Sequence, residues 1–263
     1  KEFHIWMLGM TAQWMGIMGE HANSVAPLLV STEQGDLKST FCKSLLPAAL
    51  QRYYMDKVDL TSEGRVERRL AEIGLLNLDE FDKYPSTKMP LLKNLMQMAS
   101  LSLCKAYQKN HRSLPRIASF IGTSNRKELL TDPTGSRRFI CVMVKRPIDC
   151  NGIEHKQIYA QLKAEILSGE RYWFTKEEEQ VLQKNNLSFY RQGPVEDVLR
   201  SCYRSVEKGE EGELRSAAEI FQCLKKKNPS AMRGANPASL AQILVAVGIE
   251  RKHTKFRNVY RVL

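Results

Sequence analysis

The stretch V-A-P-L-L-V-S-T-E-Q-G-D-L-K-S-T-F-C-K, residues 25–43, decides how this chain is read. Residues 26–30 form a short apolar run that predicts a buried strand. A polar turn follows over residues 31–37, and Lys38, Ser39 and Thr40 open a segment with helical character. Strand, tight loop and a helix start carrying Lys-Ser is the layout of a phosphate-binding loop. Exposed N–H groups and the positive end of the helix dipole favour a phosphate at such a place. The lysine reaches the outer phosphates and the hydroxyl ligates magnesium. Against the pattern G-x-x-x-x-G-K-[ST], the two glycine positions hold Thr32 and Leu37, and Gly35 is the glycine inside the loop. Glycine is favoured there because the backbone takes φ > 0 close to the phosphates. Leu37 is therefore expected to strain or reshape the loop. Taken alone, the segment also fits a polar strand-to-helix turn that ends in Lys-Ser.

The chain has 263 residues, 43% of them hydrophobic. That supports a sizeable core in one large or two unequal domains. Its net charge of +11 and pI near 9.4 point to a polyanionic partner, with solubility as the plain alternative. Six cysteines are scattered at 42, 104, 141, 150, 202 and 223 without a C-x-x-C pair. This usage predicts a reduced, cytoplasmic protein with no zinc site. A first residue of Lys1 suggests a fragment or a processed piece. The methionine-rich residues 3–19 are too short to span a bilayer. Phe3, Trp6, Met7, Met10, Trp14, Ile17 and Met18 recur there at helical spacing and predict a helix packed on the core. No membrane partner is expected.

After the loop, a helix is predicted to about Leu46, stopped near Pro47, then a short strand in residues 53–60 and a charged helix over 63–73. The apolar run L-L-N-L ends in Asp79-Glu80. At this distance after a phosphate loop, Asp79 is positioned to hold magnesium through water and Glu80 to polarise an attacking water. Residues 91–98 read as a helix. Residues 101–107 alternate like a strand, Q-K-N-H is a polar turn, and residues 112–117 return, giving a hairpin with a basic tip. The run A-S-F-I-G-T-S-N, residues 118–125, reads as a buried strand ending in Asn125. That amide is suited to orient the water beside a γ-phosphate, although Asn is also a common turn residue. The turn T-D-P-T-G-S-R-R-F carries Arg137 and Arg138 ahead of another apolar strand. An arginine delivered to a neighbouring subunit's γ-phosphate stabilises transition-state charge; the plain alternative is a surface loop bound to carboxylates.

Together, Q-G-D-L-K-S-T, L-L-N-L-D-E-F-D, S-F-I-G-T-S-N and D-P-T-G-S-R-R-F resemble the virulence-associated protein E family. That family is related to the primase-associated superfamily 3 helicases of phages and mobile elements, within the AAA+ branch of P-loop ATPases. The resemblance covers residues 25–144 and, more loosely, the remainder. It implies an α/β fold with a parallel-sheet ATPase core that often works as a ring on DNA. It implies functional roles for Lys38, Ser39, Asp79, Glu80, Asn125 and one of Arg137 and Arg138. It further implies a hairpin, ahead of the Asn-bearing strand, that projects into the ring pore and grips DNA. Lys109, His111 and Arg112 fall at that place.

Residues 149–151 read as a boundary, followed by helices over 156–167, 176–187 and 195–206 and a charged linker over 207–213. Ser216 with Glu219 forms a capping box for a helix ending in Lys225, Lys226 and Lys227. Asn236-Pro237 opens a second helix with Gly248 as its stop, and two strands follow around residues 255–258. Helix, helix, hairpin is the tail of a winged-helix-like unit. From Lys225 to Leu263, nine Lys/Arg stand against one acid. Lys225, Lys226, Lys227, Lys252, Lys255 and Arg257, interleaved with Phe256 and Tyr260, suit nucleic acid; a winged module serving protein contacts is the alternative.

The expected architecture is therefore a P-loop ATPase core with an N-terminal helix (1–150), a helical extension (151–206) and a winged-helix-like basic domain (207–263). Gln34, Gly35, Lys38, Ser39 and Thr40 are the candidate ATP contacts, and Ser39 and Asp79 hold Mg2+. Glu80, Asn125, Arg137 and Arg138 are the candidate catalytic groups. The expected partners are DNA, single-stranded by preference, and further copies of the chain in a ring. The leading reading is a DNA-dependent, helicase-like ATPase. The competing reading is a non-catalytic DNA- or partner-binding module on an altered phosphate loop. A small-molecule kinase on the same core fits poorly with the arginine pair and the basic tail.

Overall fold

A computed structural model describes residues 1–61, 63–104, 111–131, 136–206, 209–254 and 257–263. The chain packs as two units, residues 1–190 and 191–263. The first contains α1 (Glu2–Trp14), β1 (Ala26–Val30), α2 (Lys38–Ser44), β2 (Tyr54–Asp56), α3 (Glu63–Glu72), β3 (Leu75–Leu78), α4 (Met89–Gln97), β4 (Ser100–Cys104), β5 (His111–Pro115), β6 (Ser119–Ser124), β7 (Phe139–Met143), α5 (His155–Leu167) and α6 (Lys176–Asn185). The second contains α7 (Pro194–Cys202), β8 (Glu213–Arg215), α8 (Ala217–Lys227), α9 (Pro237–Ala246), β9 (Arg251–His253) and β10 (Asn258–Val262).

The core of the first unit is a five-stranded sheet in the order β2-β3-β6-β1-β7, parallel throughout. β1, β3 and β6 are buried at every position, as strands covered on both faces must be. The period of two then divides their side chains between two cores. Leu28, Val30, Leu76, Leu78 and Phe120 join Leu70, Leu92 and Leu95 on one face. Leu29, Leu75 and Ile121 join Trp6, Met10, Leu162 and Ile166 on the other. The expected α/β core with an N-terminal helix on it is what forms. At the centre, Gly122 of β6 pairs with Leu28 and Leu78 on its two neighbours. A Cβ there would stand 2.6 Å from Leu28 Cδ2 and 3.1 Å from the Leu78 carbonyl. Only glycine permits so close an approach.

β4 and β5 form the expected antiparallel hairpin, paired from Ser100–Pro115 to Cys104–His111. Its foot is held by Arg116, which is fully buried. The guanidinium donates to the carbonyls of Met98 (2.6 Å), Met96 (2.9 Å), Asn23 (3.2 Å) and Ala118. Burial pushes its pKa down to about 9, so it remains a cation at neutral pH. The carbonyl end of α4 complements that charge.

In the second unit, Val198, Leu199, Ile220, Phe221, Leu240, Leu244 and Tyr260 share one core. The expected capping box of Ser216 with Glu219 forms, and the helix opened by Asn236 is capped by a second box with Ser239. β8, β10 and β9 make a three-stranded antiparallel sheet. Three features differ from the sequence reading. β8 lies at the end of the expected linker. α7 ends at Cys202 and packs with the second unit. The units divide at 190, because Leu162, Ile166 and Leu182 of α5 and α6 are buried in the sheet's core. Among the described residues, no helix is long and apolar enough to cross a membrane.

Candidate nucleotide site

The carboxyl ends of β1, β6 and β3 lie side by side: Val30 pairs with Ser124, and Gly122 with Leu78. Ligands in open parallel sheets bind at that edge. The segment after β1 is closed by Ser31, whose hydroxyl donates to the buried Asp36 carboxylate and accepts the Glu33 N–H at 3.0 Å. Gln34 and Gly35 are exposed at its tip, with Gly35 at φ +91°.

Leu37 itself takes the left-handed conformation, φ 57° and ψ 24°, with its side chain half exposed. A Cβ in that conformation costs roughly 1–2 kcal/mol. A left-handed residue followed by the right-handed Lys38 is a nest of N–H groups suited to an anion. α2 spans only 7 residues, so this nest and Lys38 contribute more than its dipole. Lys38 is buried, and its Nζ donates to the Glu33 carbonyl at 3.2 Å. Thr40 is exposed on the first turn.

Ser39 Oγ donates to Asp79 Oδ1 at 2.9 Å. Thr123 Oγ1 donates to the same oxygen at 2.7 Å and accepts the Glu80 N–H at 3.3 Å. Loop, acidic strand and intervening strand are thus joined in one hydrogen-bonded chain. Thr123 had no assigned role in the sequence reading. Its only signal was its place two residues before Asn125. Ser39 and Asp79 offer hard oxygens of the kind Mg2+ takes. Among the described residues, no cluster of three or more His, Cys, Asp or Glu could hold a metal. A magnesium ion held by Ser39 and Asp79 would take its remaining ligands from water and phosphate.

Glu80 also sits in the left-handed region, φ 53°. Its carboxylate is held by Lys83 and by Lys57, whose Nζ lies 3.2 Å from Oε2 and 3.8 Å from the Asp79 carboxylate. These two lysines keep its carboxyl below the usual range. Lys57 is another left-handed residue, φ 59°. Beside the acids lies a cavity of about 320 Å³ lined by Lys57, Lys83, Tyr84 and Lys88. Asn125 is exposed directly after β6, level with Ser31, whose N–H bonds the Ser124 carbonyl at 3.1 Å.

Arg137 and Arg138 are not brought to this edge. They precede Phe139, which pairs with Ala26 at the start of β1, whereas the loop follows Val30, which pairs with Met143. That places them at the opposite edge of the sheet, about 13 Å away at ~3.3 Å per residue. Arg137 Nη1 lies 3.4 Å from Glu179.

In the second unit, Lys225, Lys226 and Lys227 are exposed on the last turn of α8. Lys252 lies 3.9 Å from Glu250, and Arg257 lies 3.3 Å from Glu219. Lys109, Lys255 and Phe256 fall outside the described residues, as do the side chains of His111 and Arg112.

The model of the virulence-associated protein E-like domain matches residues 3–191. The chain belongs to that family. The match ends where the first compact unit ends. Residues 192–262 match a second model, described as a domain of unknown function from a B. Theta gene (DUF3874). No curated protein matches this virulence-associated protein E-like chain in sequence. Among solved structures it is similar to the apo structure of the NrS-1 C terminal region (305-718), at 11% identity and a TM-score of 0.44, covering 99% of this chain and 70% of that one. The A form apo structure of the same region gives 12% identity and a TM-score of 0.42 over the same shares.

Proposed function

We propose that this chain is a magnesium-dependent, DNA-stimulated ATPase, a helicase-like motor acting in phage or mobile-element replication. The observation that carries the reading is the hydrogen-bonded chain Ser39–Asp79–Thr123–Glu80 at the carboxyl edge of the sheet, beside a loop whose left-handed Leu37 precedes the helical Lys38. Lys38 and the loop N–H groups bind the phosphates. Ser39 and Asp79 hold the magnesium, which supplies charge neutralisation on the phosphates when bound. Glu80 holds the attacking water and accepts its proton, and Asn125 orients that water.

Arg137 and Arg138 serve the γ-phosphate of a neighbouring subunit in a ring. Their location at the far edge supports this reading, because no side chain spans the sheet to its own site. The second unit anchors DNA. Its order of helix, strand, helix, helix and two strands supports a winged-helix assignment, and its surplus cations support phosphate contacts.

Titration calorimetry with ATP and magnesium, beside turnover assays with and without single-stranded DNA, tests the reading. Binding that is lost in Lys38→Ala, and turnover that DNA raises, support it. Absence of ATP binding at millimolar nucleotide overturns it. The competing reading, a DNA- or partner-binding module without turnover, is favoured by the strained Leu37 and by the two lysines on Glu80. DNA binding without ATP binding selects that reading.

A further inference from the structure

We propose that Asp82 is the positioning residue for Asn125, an inference that rests on the ATPase reading above. Asp82 lies in the short turn Phe81–Lys83, immediately after Glu80, and its carboxylate is almost fully buried. Oδ1 accepts a hydrogen bond from Ser124 Oγ at 2.8 Å, and Oδ2 lies 3.6 Å from Arg126 Nε. Ser124 and Arg126 are the two neighbours of Asn125 in the chain. Ser124 Oγ also accepts the Arg126 N–H at 3.0 Å, closing the bend on itself. One carboxylate therefore grips the chain on both sides of a single exposed residue.

The same residue belongs to the turn that begins at Glu80, so Asp82 ties the water-orienting amide of Asn125 to the candidate base, 45 residues earlier in sequence. Burying a carboxylate is costly unless it is well partnered. Here its partners are the two residues that set where Asn125 points. A water held between Glu80 and Asn125 needs both groups at fixed spacing, because small displacements of positioning groups cost large factors in rate. The acid lies two residues beyond Glu80 in L-L-N-L-D-E-F-D, and its proximity to residues 124–126 arises from the adjacency of β3 and β6.

The test compares Asp82→Ala and Asp82→Asn with Asn125→Ala and the double variant Asp82→Ala/Asn125→Ala. Asp82→Ala is expected to lower kcat about 10- to 100-fold, with KM and calorimetric ATP affinity within about twofold of the parent. Asp82→Asn keeps an acceptor for Ser124 but loses the charge facing Arg126, so it falls between the two. In the Asn125→Ala background, Asp82→Ala is expected to add less than about twofold, because its effect passes through Asn125. Costs that multiply in the double variant overturn the inference, as does an unchanged kcat.

A second readout needs no turnover. The Asn125 side-chain amide resonances of the nucleotide-free protein, assigned by their loss in Asn125→Ala, are expected to shift in Asp82→Ala and Asp82→Asn. Unchanged resonances overturn the inference even if the wild-type chain proves inactive, an outcome that would separately sink the ATPase reading. If Asp82→Ala does not fold, Asp82→Asn carries both readouts.

Discussion

The candidate nucleotide site and the basic tail place their functional groups in opposite ways. At the sheet's edge, Ser39, Asp79, Thr123 and Glu80 bond one another over 2.7–3.3 Å and come from three separate segments, the start of α2, the turn after β3 and the end of β6. In the second unit, Lys225, Lys226 and Lys227 project outward from one helix end, and α9 carries no charged residue. The first arrangement is preorganised, so removing one group costs the geometry of the rest. The second is an array of solvated charges, so its members act nearly independently and respond to salt. The difference teaches that the proposed chemistry would be broken by single substitutions and the proposed DNA docking only by several.

The largest effect is expected at the groups that meet transition-state charge. Arg137→Ala/Arg138→Ala should lower turnover about 10³-fold or more if the pair acts on a neighbouring subunit. Mixing this protein with Glu80→Gln should restore part of the activity, since a mixed interface pairs an intact base with an intact arginine. No recovery in mixtures shown to exchange subunits would remove the trans role. Glu80→Gln alone should lower kcat by about 10²–10⁴ and leave calorimetric ATP affinity intact. Weakened ATP binding in that variant would reassign Glu80 to ligand binding.

Next comes the tail. Replacing Lys225, Lys226 and Lys227 together by Ala should flatten the log–log salt dependence of single-stranded DNA binding by about 2, at roughly 0.7 per phosphate. Fluorescence anisotropy across a salt series measures it. An unchanged slope would leave the cations without phosphate contacts. Lys109→Ala/His111→Ala should barely alter DNA affinity yet abolish DNA stimulation of turnover, as a pore grip would.

The smallest effect is expected at Leu37. Leu37→Gly relieves the left-handed strain but loosens a loop that is already formed, and the two nearly offset. ATP affinity should rise by less than about threefold. A much larger rise would mean that the leucine, and not the lysine pairing of Glu80, limits this site.

The sequence by itself determined the local pieces. The apolar run at 26–30 and L-L-N-L read as buried strands, because each is short, apolar and followed by turn residues. Ser216 and Asn236 fixed two helix starts through side chains that reach N–H groups three residues away. Lys38-Ser39 and Asp79-Glu80 were legible because each chemistry sits in adjacent residues. The surplus of charge after Lys225 needed only counting. The family match over residues 3–191 agrees with the resemblance those motifs carried.

The tertiary structure decided what lies between the pieces. Thr123 meets Asp79 and Asp82 meets Ser124 because β6 pairs with β3, Lys57 meets Glu80 because β2 flanks β3 on its other side, and strand order is not written in any local period. Arg137 and Arg138 fell at the far edge because β7 runs parallel to β1. α7 joined the second unit and α5 and α6 the first, since one buried apolar stripe on a helix does not say which core will cover it. Leu37 holds a left-handed backbone angle that leucine alone would avoid, in a loop that the Ser31–Asp36 hydrogen bond closes on itself.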